Sequence, residues 1–144
     1  QRFDANVRLD SLDVLRTRVA DPRVRAALCA AARGDGNPAV RLKAMEALSE
    51  LGADPGVQET ILGVLAEDDN SGVRIEAVNA LLAALGNVEM QAMPMAPQAL
   101  AVLRDRERND PNSYVRLRSA RVLSRLASSD AEGASPGWRG SPRP

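Results

Sequence analysis

The feature that most constrains this chain is an internal repeat built around a Val-Arg pair. The pair recurs with its valine at positions 7, 40, 73 and 115 of the 144 residues. The spacings are 33, 33 and 42 residues, so the last interval contains a nine-residue insertion. A regular period of this length is typical of arrays in which each unit packs only on its neighbours.

Each Val-Arg copy carries the signals of a helix start. Asn37, Asn70 and Asn112 stand three residues before the valine, where a side-chain oxygen can accept hydrogen bonds from the free N–H groups of a first turn. Apolar residues then recur three and four positions apart, as in an amphipathic helix. The residue four after the valine is always small and would let a neighbouring helix approach closely: Ser11, Ala44, Ala77 and Ser119.

A second type of helix alternates with the first. Asp21-Pro22 and Asp54-Pro55 are again 33 residues apart, and each pair is typical of an N-cap followed by a first-turn proline. A third copy begins near Pro97. There Arg104, Arg106 and Glu107 replace apolar residues of the preceding copy, so we expect its C-terminal end to be more exposed.

The sequence therefore predicts seven helices, joined by mostly short turns, so that sequential helices are antiparallel. They cover residues 5–19, 22–33, 38–51, 55–66, 71–85, 97–108 and 113–127. Because one pair of helices cannot bury both of its faces alone, we expect an all-α solenoid of stacked pairs over residues 1–127. Residues 128–144 are rich in Gly, Ser and Pro, which predicts a disordered tail.

Several classes of chemistry are excluded by composition. The chain has no histidine and one cysteine, so it can form neither a His-based triad, nor an internal disulfide, nor a thiolate zinc site. The acidic run Glu67-Asp68-Asp69 lacks the alternating ligand spacing of a calcium loop. No Gly-rich phosphate-binding motif is present. We therefore expect no enzyme activity, no cofactor and no metal site.

The turn before each Val-Arg copy resembles the HEAT repeat family, in which an Asp-rich turn leads into Val-Arg at the start of the second helix of each repeat. The aspartate stands six residues before the arginine each time: Asp35–Arg41, Asp68–Arg74 and Asp110–Arg116. The resemblance covers residues 5–127 and implies that these six residues form a hydrogen-bonded ladder between successive repeats. Arg2 occupies the aspartate position of the first copy, so we expect the ladder to end at Arg8.

A second resemblance concerns the protein from which such a chain could come. The segments Asn6–Leu15, Val73–Leu81 and Asp110–Leu117 are similar to the C-terminal region of bacterial proteins that carry an N-terminal zinc-finger anti-sigma domain followed by HEAT-like repeats. The Cys/His zinc motif is absent here. The resemblance implies an accessory repeat region of a bacterial regulatory protein, with no anti-sigma activity on any residue of this chain.

The chain does not begin with methionine, so we expect a fragment or a processed product whose targeting information lies upstream. We expect a cytoplasmic location, and an extracytoplasmic one stays open if a membrane anchor precedes the chain.

Charge is banded along the chain although its total is zero. Residues 1–33 carry +3, residues 34–103 carry −7 and residues 104–125 carry +4. Positions three, six and ten after each valine share one helix face. In chain order they hold Asp10, Asp13 and Thr17; Lys43, Glu46 and Glu50; Glu76, Asn79 and Ala83; and Arg118, Arg121 and Arg125. The resemblance implies that this helix lines the concave side of the solenoid, so its groove would change from acidic to basic.

A groove of this kind suits a protein or peptide partner, whose approach complementary charge would steer. The residues expected to bind it are Lys43, Glu46, Glu50, Glu76, Asn79, Arg118, Arg121 and Arg125. One alternative is a purely structural spacer whose charges are merely solvated. Another is a nucleic-acid-binding solenoid that uses the Arg-rich last repeat, against which the neutral total and the acidic middle argue.

Two further segments have open roles. The insertion near residues 86–97 is rich in methionine and is either an adaptable docking surface or a tolerated loop. The helix over 5–19 presents Val7, Leu12, Leu15 and Val19 without a preceding partner helix, so we expect it to fray or to self-associate.

Overall fold

The computed structural model of the chain describes residues 4–16, 20–52, 54–86, 95 and 97–134. Over these residues the secondary structure is entirely helical, with seven α-helices and a short 3-10 turn at Ser49–Leu51. The helices are α1 (Ala5–Arg16), α2 (Pro22–Gly34), α3 (Pro38–Leu48), α4 (Pro55–Glu67), α5 (Ser71–Leu85), α6 (Pro97–Asn109) and α7 (Ser113–Ala134). The predicted all-α class with about seven helices is confirmed.

The helices form two layers. Helices α2, α4 and α6 pack side by side in what we call the A layer, and α1, α3, α5 and α7 do so in the B layer. Within each repeat an A helix packs on the B helix that follows it: α2 on α3, α4 on α5, and α6 on α7. Each pair thus buries one face internally and another against the next pair, as the repeat period predicts.

The helix starts follow from their capping residues. Asn37, Asn70 and Asn112 each accept a hydrogen bond from a first-turn backbone N–H, at 2.8, 3.1 and 3.1 Å. Asp21 and Asp54 do the same for the A helices, each at 2.9 Å, with a proline as the first helical residue. Because these bonds satisfy N–H groups that no intrahelical carbonyl can reach, the predicted starts of these helices are confirmed.

The core between the layers is aliphatic. Its largest fully buried side chains include Leu28, Met45, Leu48, Ile61, Leu65, Leu81 and Leu103. The small residues predicted to allow close helix approach are fully buried in three of the four copies, at Ala44, Ala77 and Ser119. The fourth, Ser11, is exposed, because α1 packs mainly on α3.

The structure corrects the ends of two helices, α3 and α7, and leaves the predicted end of α1 untested. Helix α1 is described to Arg16, and residues 17–19 lie outside the described part. Helix α3 ends at Leu48, where Ser49 donates its hydroxyl to the Glu46 carbonyl at 2.7 Å and the backbone tightens into the 3-10 turn.

The second corrected end is that of α7, next to the predicted tail. Helix α7 continues to Ala134, so the expected disorder from residue 128 is wrong for seven residues. The first proline after the predicted end is Pro136, and Ala131 and Glu132 are good helix formers. Residues 135–144 lie outside the described part, and disorder there stays a prediction.

Two predictions fall partly outside the described residues. In the insertion, residues 87–94 and 96 are not described, and Met95 is half-buried against the core. In α1, Val7 and Val14 are 49% and 66% exposed while Leu12 is buried, so an apolar surface does exist there. Fraying or self-association through it stays a prediction. None of the helices in the described ranges has the length and apolar character that a bilayer crossing requires.

Candidate functional site

Three arginines join successive repeats through paired hydrogen bonds to aspartate. Arg8 binds the Asp35 carboxylate through Nε and Nη2 at 2.8 and 2.9 Å. Arg41 binds Asp68 in the same way at 2.7 and 3.0 Å. The third pair is Arg74 and Asp110, at 2.8 and 2.9 Å. Each such pair, here called a rung, is a bidentate charge-assisted contact that fixes the position of one repeat on the next.

Local turn geometry presents each aspartate to its arginine. The three carboxylates each accept the backbone N–H of the asparagine two residues on, at 2.9 Å. This bond holds the turn in shape before the helix begins. In addition, Arg41, Arg74 and Arg116 donate Nη1 to the carbonyl of the aspartate in their own turn, at 2.9, 2.9 and 2.7 Å. One guanidinium therefore ties its own turn to the next.

The rungs become more buried along the chain. The arginine and aspartate side chains are 32% and 13% exposed in the Arg8 rung, 11% and 5% in the Arg41 rung, and 7% and 0% in the Arg74 rung. Burial alone would raise the pKa of the Asp35 and Asp110 carboxyls. Hydrogen bonds from the arginine and from the asparagine N–H outweigh it, so both pKa values lie below the usual range.

The last rung has a second arginine that the sequence analysis missed. Arg106 donates Nη1 to Asp110 Oδ2 at 3.1 Å, and it donates Nη2 to Asp105 Oδ2 at 2.6 Å. Arg106 stands four residues before Asp110, where the earlier repeats have alanine and valine. This i,i+4 spacing is the sequence signal from which the contact between Arg106 and Asp110 could have been predicted. The expected exposure at the end of α6 is seen at Arg104 and Arg108.

The structure thus contains the hydrogen bonds that the HEAT resemblance implies for the ladder residues, except a bond from Arg116 to a following aspartate. Arg8 begins the series with Asp35. Arg116 keeps the bond to its own turn, but no carboxylate of the described residues pairs with its Nε and Nη2. Among the described residues α7 is the last helix of the B layer, and no later turn there supplies a carboxylate.

The predicted partner-binding residues come together on the B layer. We call the set Lys43, Glu46, Glu50, Glu76, Asn79, Arg118, Arg121 and Arg125 the charged stripe. Burial raises the pKa of Glu76 on α5, and repulsion from Glu46 on α3 raises it further. Arg118 on α7 donates Nε to Asn79 Oδ1 at 2.9 Å. Across neighbouring helices, therefore, Arg118 contacts Asn79, and the charge of Glu46 acts on Glu76.

The remaining stripe residues differ in exposure. Lys43 is half-buried, whereas Glu50, Arg121 and Arg125 are exposed. Arg118 also lies over the Tyr114 ring, 5.4 Å from its centroid, in a cation–π contact. Of the first copy, Asp10 is exposed, and the side chains of Asp13 and Thr17 lie outside the described part.

The described residues contain no group of three His, Cys, Asp or Glu side chains arranged to hold a metal ion. Cys29 is half-buried and packs against the aliphatic core. The groups that the stripe presents are charged and hydrogen-bonding side chains.

Comparison with known proteins adds one finding. A family model described as HEAT repeats matches residues 1–82, which span α1 to most of α5. No curated protein and no solved structure shows significant similarity to the chain. HEAT repeats are a non-catalytic type of scaffold and generally mediate protein–protein interaction. With the match covering more than half of its length and the rung geometry recurring up to Asp110, the chain belongs to the HEAT repeat family.

Proposed function

We propose that this chain is a non-enzymatic protein–protein interaction module whose partner lies along the charged stripe. The observation that carries the proposal is the placing of stripe residues on adjacent helices of the B layer, where Arg118 on α7 donates to Asn79 on α5 at 2.9 Å and the charge of Glu46 on α3 acts on Glu76 on α5. Holding like charges together on a half-buried surface opposes folding, so a functional reason for the arrangement is favoured over an incidental one.

The stripe also defines the partner's charge. Its acidic residues lie on α3, on the 3-10 turn that follows α3 and on α5, and its three arginines lie on α7. Complementarity calls for a partner with a basic segment over α3 and α5 and an acidic segment over α7. The Asn79–Arg118 bond marks the boundary between the two bands.

The second resemblance supports a more specific context. Similarity of three segments to the repeat region of bacterial zinc-finger anti-sigma proteins favours an accessory module in a regulatory protein of that type. No residue of this chain is assigned anti-sigma activity. In this context the repeat module would position or recognise a partner, while the regulatory activity would belong to another domain.

The experiment compares two matched charge reversals. Arg121→Glu with Arg125→Glu changes the stripe, and Arg104→Glu with Arg108→Glu changes exposed arginines at the same i,i+4 spacing on α6. The full chain and both variants are used to capture partners from a lysate of the source organism, with circular dichroism to verify folding. We expect a partner that binds the full chain and the α6 variant but not the stripe variant. Equal capture by all three, or no capture, would support the structural spacer instead.

The same proteins test the nucleic-acid alternative. Residues 113–129 carry four arginines and no acidic residue, which is the observation that favours it. Against it, Arg118 is already engaged by Asn79 and Tyr114, and residues 34–103 carry −7. We expect no binding of a labelled DNA duplex or RNA hairpin near physiological salt. Binding that falls steeply with salt and is lost in the stripe variant would favour this alternative.

A further inference from the structure

Arg116, the last arginine of the ladder, is oriented like Arg41 and Arg74, but it binds no carboxylate of the described residues. Arg41 and Arg74 each bond the carbonyl of their own turn through Nη1 and use Nε and Nη2 for the aspartate of the next repeat. Arg116 makes the same first bond at 2.7 Å. Its guanidinium is therefore held in a fixed orientation, with the two donors that bind carboxylate elsewhere left without one in the described residues.

The apolar neighbour of Arg116 is uncovered as well. Leu42 and Ile75 follow the arginine in the interior repeats and are half-buried against the core, because the next B helix packs beside them. Leu117 holds the equivalent position on α7 and is 69% exposed. Tyr114, one turn earlier, is 41% exposed. Together Arg116, Leu117 and Tyr114 form what we call the end site.

The charge around the end site restricts its occupant. Residues 113–129 carry four arginines and no acid, and residues 1–33 at the other end of the chain carry +3. Both ends are therefore basic, and stacking a second copy end to end would bring like charges together. An occupant of opposite charge is favoured instead, and the interior rungs show which chemistry the arginine binds.

We infer that the end site binds an acidic helical segment of another protein, whose turn presents an aspartate to Arg116 as Asp68 is presented to Arg41. The helix after that turn packs on Leu117 and Tyr114. The site lies at the end of the B layer and adjoins the stripe, whose Arg118 lies over the Tyr114 ring. It goes beyond the proposed function because Arg116 and Leu117 are not stripe residues and supply a contact for an aspartate and an apolar helix face. Its occupant continues the series of rungs from a different polypeptide.

The test uses a probe of this chemistry taken from the chain itself. A fluorescein-labelled peptide of residues 54–86 contains α4, α5 and the Asp68 turn, and it is strongly acidic. It is titrated against the full chain and followed by fluorescence anisotropy. We expect saturable binding that weakens about tenfold for Arg116→Ala, and equally for the probe with Asp68→Asn, because each removes one side of a bidentate charged contact.

The two changes form a cycle that identifies the contact. If Arg116 and the probe's Asp68 bind each other, combining the two changes weakens binding no further than either alone. Arg116→Lys keeps the charge but loses the planar pair of donors, so it should bind nearly as weakly as Arg116→Ala. The control Arg104→Ala removes an exposed charge on α6 and should bind as well as the full chain.

If the free peptide does not fold, a fusion that tethers the peptide to the chain tests the inference. Residues 54–86 are appended after Pro144, so that residues 135–144 serve as the tether and raise the effective concentration. We expect the appended pair to raise the Tm, and Arg116→Ala to remove the gain while leaving the Tm of the original chain unchanged. No gain in Tm, or a gain that survives Arg116→Ala, would overturn the inference.

Discussion

The middle helix pair, α4–α5, and the last pair, α6–α7, share one turn design but differ in what they bury. Both turns hold an aspartate that an arginine of the preceding B helix binds, and both have an asparagine cap. Helix α4 buries seven of its 13 residues, whereas α6 buries only Ala99 and Leu103 of the same number. Among the described helices, α4 has A-layer neighbours on both sides, whereas α6 packs in that layer on α4 alone.

The B layer has the same contrast. Helix α5 lies between α3 and α7, and its Ile75 is half-buried, while the equivalent Leu117 of α7 is exposed. The turn design therefore builds every repeat, and the number of neighbours decides which side chains of a repeat must be apolar. On α6, arginines replace aliphatic residues of α4, and that end of the molecule acquires its charge, whereas α7 keeps an exposed Leu117.

The largest expected effect comes from cutting the rung that joins the two pairs. Arg74→Ala leaves the fully buried Asp110 with only Arg106 as its charged partner, and we expect a loss of about 3–5 kcal/mol in the free energy of unfolding. Urea denaturation of Arg8→Ala, Arg41→Ala and Arg116→Ala measures the rest of the series. The loss should fall from Arg74 through Arg41 to Arg8, with Arg116 close to zero. Equal losses at all four positions would contradict the burial gradient.

A close backbone approach in the middle of the B layer gives the next effect. A Cβ at Gly52, after the 3-10 turn, would lie 2.9 Å from the Ala84 Cβ of α5. We expect Gly52→Ala to lower the free energy of unfolding by about 1–3 kcal/mol through overpacking. Gly86 directly follows α5, and a Cβ there would have no contact closer than 3.4 Å, so Gly86→Ala is the control. Thermal melts in which both variants lose the same stability would show that packing is not the cause.

The last pair contains a buried hydroxyl that should be removable with a gain. Ser119 Oγ is buried between helices and has no hydrogen-bond partner within the described structure. We expect Ser119→Ala to stabilise the protein by about 1 kcal/mol, because an unsatisfied buried hydroxyl opposes folding. Ser11, the exposed equivalent on α1, donates to the Val7 carbonyl at 2.9 Å, and Ser11→Ala should change little. A destabilised Ser119→Ala protein would mean that the hydroxyl is satisfied in solution.

The smallest effect concerns the acidic part of the stripe. The folded-state pKa of Glu76 is raised, so the folded protein holds this proton more tightly than the unfolded chain, and the ionised carboxyl opposes folding at neutral pH. Stability should therefore rise as the pH falls through the folded pKa of Glu76. We expect Glu76→Gln to stabilise the protein at pH 7 by less than about 1 kcal/mol, since the group is only half-buried. Denaturant titrations between pH 4.5 and 7.5 measure this, and an unchanged pH slope in the variant would contradict it.

The rung carboxyls titrate in the opposite direction, which provides an internal control. The pKa values of Asp35 and Asp110 are lowered on folding, so their contribution is complete above the ordinary value of 3.8 and is lost as the pH falls through the folded pKa values. Acid unfolding below pH 4 should therefore persist in Glu76→Gln.

Much of the fold could be predicted because its signals act over short distances. Capping asparagines, first-turn prolines and apolar spacing each determine a helix start within a few residues of sequence, and the 33-residue period indicates that the pairs stack. The charged stripe was likewise predicted as a helix face. Whether a partner binds it is a separate question, since many folds carry unrelated functions.

The sequence by itself thus determined the helix starts, the two alternating helix types and the Asp–Arg spacing of the ladder, all from local rules applied within one repeat. Only the tertiary structure decided that Glu46 and Glu76 repel each other and that Arg116 has no carboxylate partner among the described residues. These features depend on which helices lie side by side and on where a neighbour is missing. A repeating local pattern cannot encode that information, because it is the same in an interior repeat and in an edge repeat.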